Sequence, residues 1–360
     1  MKAILLAGGQ GTRLRPLTLH TPKPVVPIFD RPFLRYQIDL LTAIPDIDEV
    51  ILSLNYQPDR IEAVMGAGHD LGVRVRYVVE PMPLGTGGAI KFAAGHTAGE
   101  PIVVFNGDVL TAVDLNAVLQ RHRDRRARAT IVLTPVENPA AYGLVETDAA
   151  GDVRAFREKP SADQVRCNTI NAGIYVLEPE TLDRIPAGTR YSIERGYFPS
   201  LIERGETFCA FVDTGYWIDI GTPEKYRQAH RDIMAGRFVA SPFANGPGQA
   251  IVSPDARIDA GVTIDAPCFI AAGAAVARGA RIGPYTVLGR NTRVGADATI
   301  AGAILWPETT VGQRARVGAA VTGRACRLGD GVEVGEVILG DDTVVTDYSR
   351  LTPERETVRP

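Results

Sequence analysis

Three glycines follow the first apolar run of this sequence, and they are suited to binding a phosphate. The run Ala3–Ala7 predicts a buried strand, and Gly8, Gly9 and Gly11 come after it. Because glycine has no side chain, the backbone N–H groups of such a turn can approach phosphate oxygens closely. Arg13 follows, and its guanidinium can bind oxygens in a bidentate manner. The spacing matches neither GxGxxG nor the P-loop, so the glycines alone also fit a purely structural turn.

Lys23 is a second residue suited to a phosphate. It lies between Pro22 and Pro24, which hold the backbone extended. Arginine greatly outnumbers lysine among the 39 basic residues, and the two are not equivalent at a crowded phosphate. We expect Lys23 to be a fixed ammonium that stabilises charge on a phosphoryl group or a leaving pyrophosphate. An exposed loop lysine is the alternative.

Carboxylates follow predicted strands at later points of the chain. Asp108 comes after the predicted strand Ile102–Phe105, at a carboxyl end where open α/β sheets bind ligands. Asp219 lies in a later Trp-Ile-Asp segment, and Glu158-Lys159 ends another predicted strand. The structural alternatives are a turn aspartate for Asp108, a cap near the following glycine for Asp219, and a solvated charge pair for Glu158-Lys159.

The composition excludes several classes of protein. The chain has 360 residues, 45% hydrophobic and 22% charged, so it is globular, and its length predicts two or three domains. The net charge of −3 and the pI near 6.0 give no basic excess, so no nucleic-acid partner is expected. Four cysteines without a CxxC pair indicate no disulfide framework or zinc site. The run Ala3–Ala7 is too short for a signal peptide or membrane span, which predicts a cytoplasmic protein with no membrane partner.

The first part of the chain alternates between strand and helix patterns, which predicts βαβ units and a mostly parallel, Rossmann-like sheet. The long Gly/Pro-rich stretch from Gly8 to Pro32 is expected to be a functional loop. The predicted strands are Ala3–Ala7, Val50–Leu54, Val73–Val79, Ile102–Phe105 and Thr130–Val136, and the predicted helices are Phe33–Ala43, Pro58–Met65, Gly87–Ala94 and Asp114–Arg126.

A hexapeptide repeat fills the last part of the chain. Aliphatic residues recur at every sixth position from Val252 to Ile300, and small or turn residues stand between them. This pattern predicts a left-handed parallel β-helix with room for roughly five coils, stacked about 4.8 Å apart. The repeat slips at Ala301–Leu305, which we expect to bulge out as a loop.

These patterns predict an α/β protein of two domains. Residues 1–235 form the α/β domain, 236–250 a Gly/Pro-rich linker, and 251–346 the β-helix. The polar tail 347–360 either covers an open edge of the β-helix or frays. Because the coil ends are unpaired, association of copies through the β-helix is expected.

Several segments together resemble the sugar-1-phosphate nucleotidyltransferases, also called nucleotide-sugar pyrophosphorylases. The greatest similarity is to the mannose-1-phosphate guanylyltransferases that carry a C-terminal β-helix. The resemblance covers residues 1 to about 230, and it implies the first domain is catalytic. The segments that carry it are Gly8-Gly9-Gln10-Gly11-Thr12-Arg13-Leu14, Pro22-Lys23-Pro24, Glu80-Pro81, Leu84-Gly85-Thr86-Gly87-Gly88-Ala89, Asn106-Gly107-Asp108, Tyr142-Gly143, Glu158-Lys159-Pro160, Asn171-Ala172-Gly173 and Trp217-Ile218-Asp219-Ile220-Gly221-Thr222-Pro223.

The resemblance implies a reaction and a role for each candidate residue. A sugar-1-phosphate oxygen attacks the α-phosphorus of a nucleoside triphosphate, and pyrophosphate leaves without a covalent enzyme intermediate. Two polyanions must be joined, so Mg²⁺ is expected. The implied Mg²⁺ ligands are Asp108 and Asp219, the catalytic residues Arg13 and Lys23, the nucleotide-binding residues Ala7, Gly8, Gly9, Gly11, Thr12, Glu80 and Gly85, and the sugar-phosphate-binding residues Gly143, Glu158, Lys159 and Asn171.

Glu80 bears on which base is bound, because the resemblance places it at the base edge. Guanine presents two adjacent N–H donors there, and a carboxylate accepts both. The same carboxylate repels the carbonyl groups of uracil and thymine, whose enzymes generally carry Gln at this position. Glu80 therefore predicts GTP, with an exposed charge at a strand end as the alternative.

Other functions remain open at this stage. The sugar could be manno-heptose-1-phosphate, or the enzyme could be a uridylyl, thymidylyl or adenylyl transferase acting on glucose-1-phosphate. A catalytically silent sugar-nucleotide sensor is the alternative from a different class, but the chain keeps every charged residue of the motifs. An acetyltransferase role of the β-helix is disfavoured, because the last histidine is His230 and the last lysine is Lys225.

Overall fold

The computed structural model describes residues 1–97, 99–139, 142–158 and 167–352, so Lys159 lies outside the described residues. By packing, the chain divides into two compact units. The first consists of Met1–Gln10 and Leu34–Asp219, and the second of Gly11–Phe33 and the described residues from Ile220 onward. This grouping by packing does not test the predicted domain bounds along the sequence. They remain a prediction: 1–235, 236–250, 251–346 and 347–360.

Among the described residues, the α-helices and the longer strands lie between Lys2 and Met234, which we call the α/β part. The helices are α1 (Phe33–Thr42), α2 (Pro58–Met65), α3 (Gly85–Ala94), α4 (Leu115–Asp124), α5 (Phe198–Glu203) and α6 (Pro223–Met234). The strands are β1 (Lys2–Leu6), β2 (Pro27–Ile28), β3 (Arg31–Pro32), β4 (Glu49–Leu54), β5 (Arg74–Val79), β6 (Ile102–Asn106), β7 (Val109–Thr111), β8 (Ala129–Pro135), β9 (Gly143–Thr147), β10 (Val153–Glu158), β11 (Thr169–Leu177), β12 (Phe208–Val212) and β13 (Trp217–Asp219). Each strand and helix predicted for this part is present, with its ends displaced by about two residues or fewer.

A Rossmann-like parallel sheet lies at the centre of the first unit. Its strands run in the order β6-β1-β4-β5, and Ile4 on β1 lies between Val104 on β6 and Ile51 on β4. Strands β1, β4 and β6 are buried on both faces, as parallel strands covered by helices require, whereas the edge strand β5 exposes one face. Beyond β6 the sheet becomes mixed, because β11 is antiparallel to β6, β8 and β9. The parallel order sets the carboxyl ends of β1, β4 and β6 at one edge.

The loop predicted between Gly8 and Pro32 belongs mostly to the second unit. We call residues Gly11–Phe33 the signature loop. It has 3-10 turns at Thr12–Leu14 and Lys23–Val25, followed by the short β2–β3 hairpin. Leu14, Leu17 and Thr18 are buried. This loop is therefore packed and ordered by local hydrogen bonds.

The repeat forms a parallel β-helix of three six-stranded sheets. Most of its inward residues are apolar and buried, as predicted, although Ile258 and Ile264 are only partly buried and Val252 is exposed. The left-handed sense of the coil remains a prediction. The strands are β14 (Ala250–Val252), β15 (Arg257–Ile258), β16 (Thr263–Ile264), β17 (Cys268–Ile270), β18 (Ala275–Val276), β19 (Arg281–Ile282), β20 (Thr286–Leu288), β21 (Arg293–Val294), β22 (Thr299–Ala301), β23 (Ile304–Leu305), β24 (Thr310–Val311), β25 (Arg316–Gly318), β26 (Val321–Thr322), β27 (Arg327–Leu328), β28 (Glu333–Gly335), β29 (Ile338–Leu339), β30 (Val344–Val345) and β31 (Arg350–Leu351).

The expected bulge at Ala301–Leu305 was wrong. Leu288 pairs with Leu305, whereas Ile270 pairs with Leu288, so the later coil is one residue shorter. The shorter step recurs, since Leu305 pairs with Thr322 and Thr322 with Leu339. A corner that is one residue shorter therefore stands where the bulge was expected. The inward Thr322 is buried, and its hydroxyl is hydrogen-bonded to that of Thr309 at 3.1 Å.

The ends of the β-helix also differ from the expectation. Each sheet has six strands, one more than the roughly five coils predicted. The sixth strand of one sheet, Arg350–Leu351, comes from the predicted tail and pairs with β28. Residues 353–360 lie outside the described residues. Among the helices that the structure describes, none has the length and apolar character needed to cross a membrane.

Candidate active site

The glycine turn after β1 lies against the turn after β6. The Gly107 N–H donates to the carbonyl of Leu6 at 3.0 Å, and Ala7 N–H donates to Ser53 at 2.9 Å. A Cβ on Gly107 would stand only 2.5 Å from the Leu6 oxygen, so only glycine fits there. Gly8 is less confined, since a Cβ there would lie 3.2 Å from Asn55. The predicted edge of the sheet thus brings the glycine turn and the Asp108 turn together.

Asp108 and Asp219 meet through a small antiparallel pair of strands. Strand β7 starts directly after Asp108 and pairs with β13, with Asp219 opposite Val109. Both aspartates are half-buried. The Tyr142 hydroxyl donates to Asp219 Oδ1 at 3.4 Å. Two carboxylates far apart in the sequence are therefore neighbours at the ligand-binding edge of the sheet.

The donor set of this pair fits a hard divalent cation. In the part of the chain that the structure describes, no third His, Cys, Asp or Glu joins Asp108 and Asp219 to form a group of three possible ligands. Mg²⁺ is commonly held by one or two carboxylates, with water and substrate phosphates as its other ligands. The two aspartates match that pattern and do not match a closed structural metal site.

The Gln37 side chain holds the Asp108 turn by two hydrogen bonds, and Gln37 was not among the predicted site residues. Its Nε2 donates to the carbonyls of Asn106 at 2.8 Å and Val109 at 2.9 Å, the residues on either side of the Gly107-Asp108 turn. Gln37 is 2% exposed. Its position on the apolar face of α1 was the available signal, since a polar residue there needs buried partners.

The Glu80 carboxylate is buried beside the glycine turn. Its Oε1 accepts from the Ser53 hydroxyl at 3.1 Å, and its Oε2 accepts from the Leu84 N–H at 2.9 Å. A Cβ on Gly8 would lie 3.3 Å from Oε1. Glu80 is 7% exposed, so the alternative of an exposed charge was wrong. Each carboxylate oxygen can still accept a further hydrogen bond.

Gly85 packs against a segment much later in the chain. Its φ of +69° favours glycine, and a Cβ would lie 2.9 Å from the carbonyl oxygen of Tyr191. The same oxygen accepts from Gly87 N–H at 2.9 Å and Gly88 N–H at 3.2 Å. These glycines are therefore also needed for packing, and close approach of the nucleoside to Gly85 remains a prediction.

The predicted sugar-binding residues lie on three neighbouring strands. Gly143 on β9 is opposite Glu158 on β10, and β9 also pairs with β11 next to Asn171. The Asn171 amide donates to the Tyr175 hydroxyl at 2.8 Å, and its oxygen accepts from Gly173 N–H at 2.8 Å. Burial raises the pKa of Tyr175 well above its usual value, so its hydroxyl stays protonated.

Arg13 and Lys23 lie in the second unit with Gly11 and Thr12. Gly11 has a φ of +61°, and a Cβ there would be 2.9 Å from Lys23 Cβ. Lys23 is 8% exposed, so the alternative of an exposed loop lysine was wrong. Arg13 is exposed. The carbonyl of Gly11 accepts from the Thr18 hydroxyl at 2.8 Å, which fixes the turn that carries Arg13.

Two family models match the chain. Residues 2–236 match the model described as nucleotidyl transferase, and residues 264–355 match the GMPPB C-terminal domain. Members of the nucleotidyl transferase family use a nucleoside triphosphate and a sugar-1-phosphate as substrates, and they generally use a divalent metal.

Named relatives cover most of the chain. A mannose-1-phosphate guanylyltransferase from Mycobacterium tuberculosis is 42% identical over 79% of this chain and 77% of that protein. Mannose-1-phosphate guanylyltransferase 1 from Arabidopsis thaliana is 35% identical over 99% of this chain and 97% of that protein.

A solved structure is similar to the α/β part. HddC from Yersinia pseudotuberculosis has a TM-score of 0.57 and 31% identity, covering 64% of this chain and 99% of that one. A second crystal structure of HddC, complexed with GMP-PN, has a TM-score of 0.55.

Proposed function

This chain belongs to the nucleotidyl transferase family, and we propose that it transfers the guanylyl group of GTP to mannose-1-phosphate. The products are GDP-mannose and pyrophosphate. The observation that carries the reaction type is the pair of carboxylates, Asp108 and Asp219, at the carboxyl edge of the parallel sheet. The two relatives named mannose-1-phosphate guanylyltransferase, alike over most of their length, support the choice of substrates.

The residues of the chain align two polyanions and offset their charge. The sugar phosphate oxygen attacks the α-phosphorus in line, the α–β bridging bond breaks, and its electrons leave on pyrophosphate. Asp108 and Asp219 would hold Mg²⁺, which supplies positive charge that reduces the repulsion between the substrates. Lys23 and Arg13 stabilise the negative charge that develops on the pyrophosphate as it leaves. The N–H groups of Gly8, Gly9, Gly11 and Thr12 bind phosphate oxygens. Ala7 starts this turn, and its own N–H is bonded to Ser53.

Glu80 selects the base in this proposal. Ser53 and Leu84 fix its carboxylate and leave one acceptor position on each oxygen. Guanine N1–H and N2–H₂ satisfy both positions, whereas a uracil or thymine carbonyl faces a negative charge. Each buried group left unpaired costs about 1–3 kcal/mol. Gly85 keeps the chain close to the nucleoside.

The sugar-1-phosphate is assigned to the β9–β10–β11 region. Glu158 and Asn171 bind sugar hydroxyls, Gly143 offers its N–H, and Lys159 binds the phosphate. The buried Tyr175 and the Gly173 turn orient the Asn171 amide. Association of copies through the β-helix and a cytoplasmic location are the further parts of this proposal.

A panel of substrates tests the proposal. Pyrophosphate release is measured in Mg²⁺ with GTP, UTP, dTTP, ATP and CTP, each with mannose-1-phosphate, glucose-1-phosphate and a manno-heptose-1-phosphate. We expect release with GTP and mannose-1-phosphate. Release with UTP or dTTP would overturn the role of Glu80, release only with the heptose would replace the sugar, and no release with any pair would favour a sensor.

Replacing Glu80 by glutamine is expected to change the base preference. The glutamine can still accept from Leu84 N–H, but its amide NH₂ then faces a guanine donor. One or two mismatched hydrogen bonds lower the preference for GTP over UTP, measured as the ratio of kcat/KM values, by about 100-fold. The control is Glu49→Gln, which removes another buried carboxylate, paired with Arg76 at 3.0 Å. An unchanged ratio in Glu80→Gln, or an equal change in Glu49→Gln, would contradict the assignment.

Replacing Gln37 by methionine is expected to loosen the Asp108 turn. The variant leaves the carbonyls of Asn106 and Val109 without their donor, although its side chain is of similar length. We expect kcat to fall about 10-fold, for a loss of about 1–2 kcal/mol of transition-state stabilisation. The Mg²⁺ concentration for half-maximal rate should rise severalfold. The control Gln120→Met removes an exposed amide bonded to Asp124, and should change neither quantity. A stability loss with unchanged Mg²⁺ dependence would mean that Gln37 is only structural.

A further inference from the structure

The signature loop is attached to the β-helix at two separate places. Near its start, Pro16 lies against Gly340, where a Cβ would be 3.1 Å from the Pro16 Cβ. Near its end, Asp30 forms an ion pair with Arg290 at 3.1 Å. Arg13 lies close in sequence to the first place, and Lys23 lies between the two. Both basic residues are thus on a loop whose two ends contact the repeat.

An aromatic cluster secures the second attachment. The Phe29 ring lies 4.9 Å from that of His230, 5.2 Å from Phe243 and 5.3 Å from Phe269, measured between ring centroids. Phe29 is 3% exposed and Phe269 on β17 is 6% exposed. Packed aromatic pairs contribute about 0.5–1.5 kcal/mol beyond the area that they bury. This contact orders Phe29 although it is a loop residue with a φ of 58°.

A buried chain of hydrogen bonds links the β-helix to the loop backbone. Trp306 Nε1 donates to the Tyr226 hydroxyl at 3.0 Å, and this hydroxyl donates to the carbonyl of Pro27. Because the indole N–H is only a donor, the tyrosine proton must point to Pro27. Trp306 and Tyr226 are each 1% exposed. The direction of every bond in this chain is therefore fixed.

His230, one turn after Tyr226 on α6, forms a second hydrogen bond to the backbone of the loop. Its Nδ1 lies 2.9 Å from the Tyr226 carbonyl and is the donor, so its Nε2 accepts from the Phe29 N–H at 3.2 Å. Burial lowers the pKa of His230 to about 4, so the ring is neutral and keeps that lone pair. The backbone groups at both Pro27 and Phe29 are thus bonded to residues outside the loop.

We propose that Gly340 and Trp306 of the β-helix are positioning residues for Arg13 and Lys23. The β-helix fixes the conformation of the signature loop, and through it the two charges that act on the triphosphate. This inference rests on the proposed function for its kinetic readout. A repeat that only stabilised the chain or joined copies would not require its residues to touch the loop.

Two variants test the proposal, with one matched control. Gly340→Ala adds one methyl group that forces Pro16 to move, whereas Gly335→Ala adds the same methyl where the nearest atoms are 3.6 Å away. Trp306→Phe removes the donor to Tyr226 and keeps an aromatic ring. Since small misplacements are costly in catalysis, we expect kcat to fall about 5-fold in Gly340→Ala and about 10-fold in Trp306→Phe. The KM for mannose-1-phosphate should change little in both variants. The melting temperature should fall in Trp306→Phe, because the smaller ring leaves a cavity at a fully buried position.

Hydrogen exchange supplies a readout that does not depend on turnover. The N–H groups of Leu14, Leu17 and Leu19 bond within the loop to Gly11, Leu14 and Pro16, and should exchange faster in both variants. Peptides of the first unit and Gly335→Ala should match the wild-type protein. Unchanged exchange in the loop of both variants would overturn the proposal whatever their activity. Faster exchange with unaltered kcat would also overturn it, whereas an inactive wild-type protein would count against the proposed function alone.

Discussion

Alanine at Asp108 or Asp219 is expected to abolish pyrophosphate release, with kcat lower by about 10³-fold or more. Each variant removes one of the two carboxylates that the strand pair β7–β13 brings together. A loss of about 4 kcal/mol of transition-state stabilisation corresponds to this factor. If both carboxylates hold one cation, as proposed, the double variant should be little worse than either single one. The measurement is kcat at saturating GTP and mannose-1-phosphate.

The control for this pair is Asp124→Ala, which removes an exposed carboxylate bonded to Gln120 at the end of α4. Its kcat should stay within about twofold of the wild-type value, since exposed pairs of this kind contribute little. Circular dichroism should show that all three variants are folded. Normal turnover in Asp108→Ala or Asp219→Ala would remove the metal role from that residue.

Methionine at Lys23 is expected to lower kcat/KM for GTP by about 10³-fold. Lys23 is 8% exposed and its Cβ lies against the Gly11 turn, so its charge is less screened by water than that of an exposed lysine. Removing a charge that stabilises a leaving pyrophosphate costs several kcal/mol. Arginine should not restore the rate, because its planar guanidinium is larger than an ammonium and Lys23 already touches the turn. The measurement is initial rate against GTP concentration for both variants.

A second lysine provides the comparison. Lys91 on α3 forms an ion pair with Asp183 at 2.7 Å, and its loss as Lys91→Met should leave kcat/KM within about twofold. A Lys23→Met variant that kept wild-type kcat/KM would contradict the assignment. So would full recovery in Lys23→Arg, because any positive charge would then be sufficient.

The architecture could be predicted because its signals are local and repeated. Alternating β and helical segments of ordinary length gave the parallel sheet, and the six-residue period gave the β-helix. The step at Ala301–Leu305 could not be interpreted alone. A five-residue step fits a bulge as well as a short corner, and the distinction depends on the neighbouring coil, where Thr322 takes an inward position that apolar periodicity does not mark.

The candidate site was predictable only where a motif stood next to a strand end. The buried state of Glu80 depends on Ser53 and Leu84, and the packing of Gly85 depends on Tyr191, more than 100 residues later. The polar Gln37 on the apolar face of α1 indicated that it has buried partners, but not that these are the carbonyl groups of the Asp108 turn. These contacts arise from tertiary packing, so residue spacing alone could not reveal them.

The packing of the signature loop with the β-helix was also beyond the sequence. The Gly/Pro-rich stretch after residue 235 suggests a boundary, yet Phe29 lies among Phe243 and Phe269 beyond it. Isolated aromatic residues follow no repeating pattern, and a loop has no strand register, so neither indicates which residues pack together. Only the arrangement of the folded chain shows that Arg13 and Lys23 are on a loop attached to the repeat.

The central claim is that the chain joins a sugar phosphate to a nucleotide and does not merely bind or hydrolyse either. Phosphorus NMR of GTP, mannose-1-phosphate and Mg²⁺ with the protein tests it most directly, because each phosphate species has its own signal. We expect GDP-mannose and pyrophosphate to appear in equal amounts, only with both substrates, and to stop on addition of EDTA. Formation of GDP and inorganic phosphate, or no consumption of either substrate by folded protein, would contradict the account.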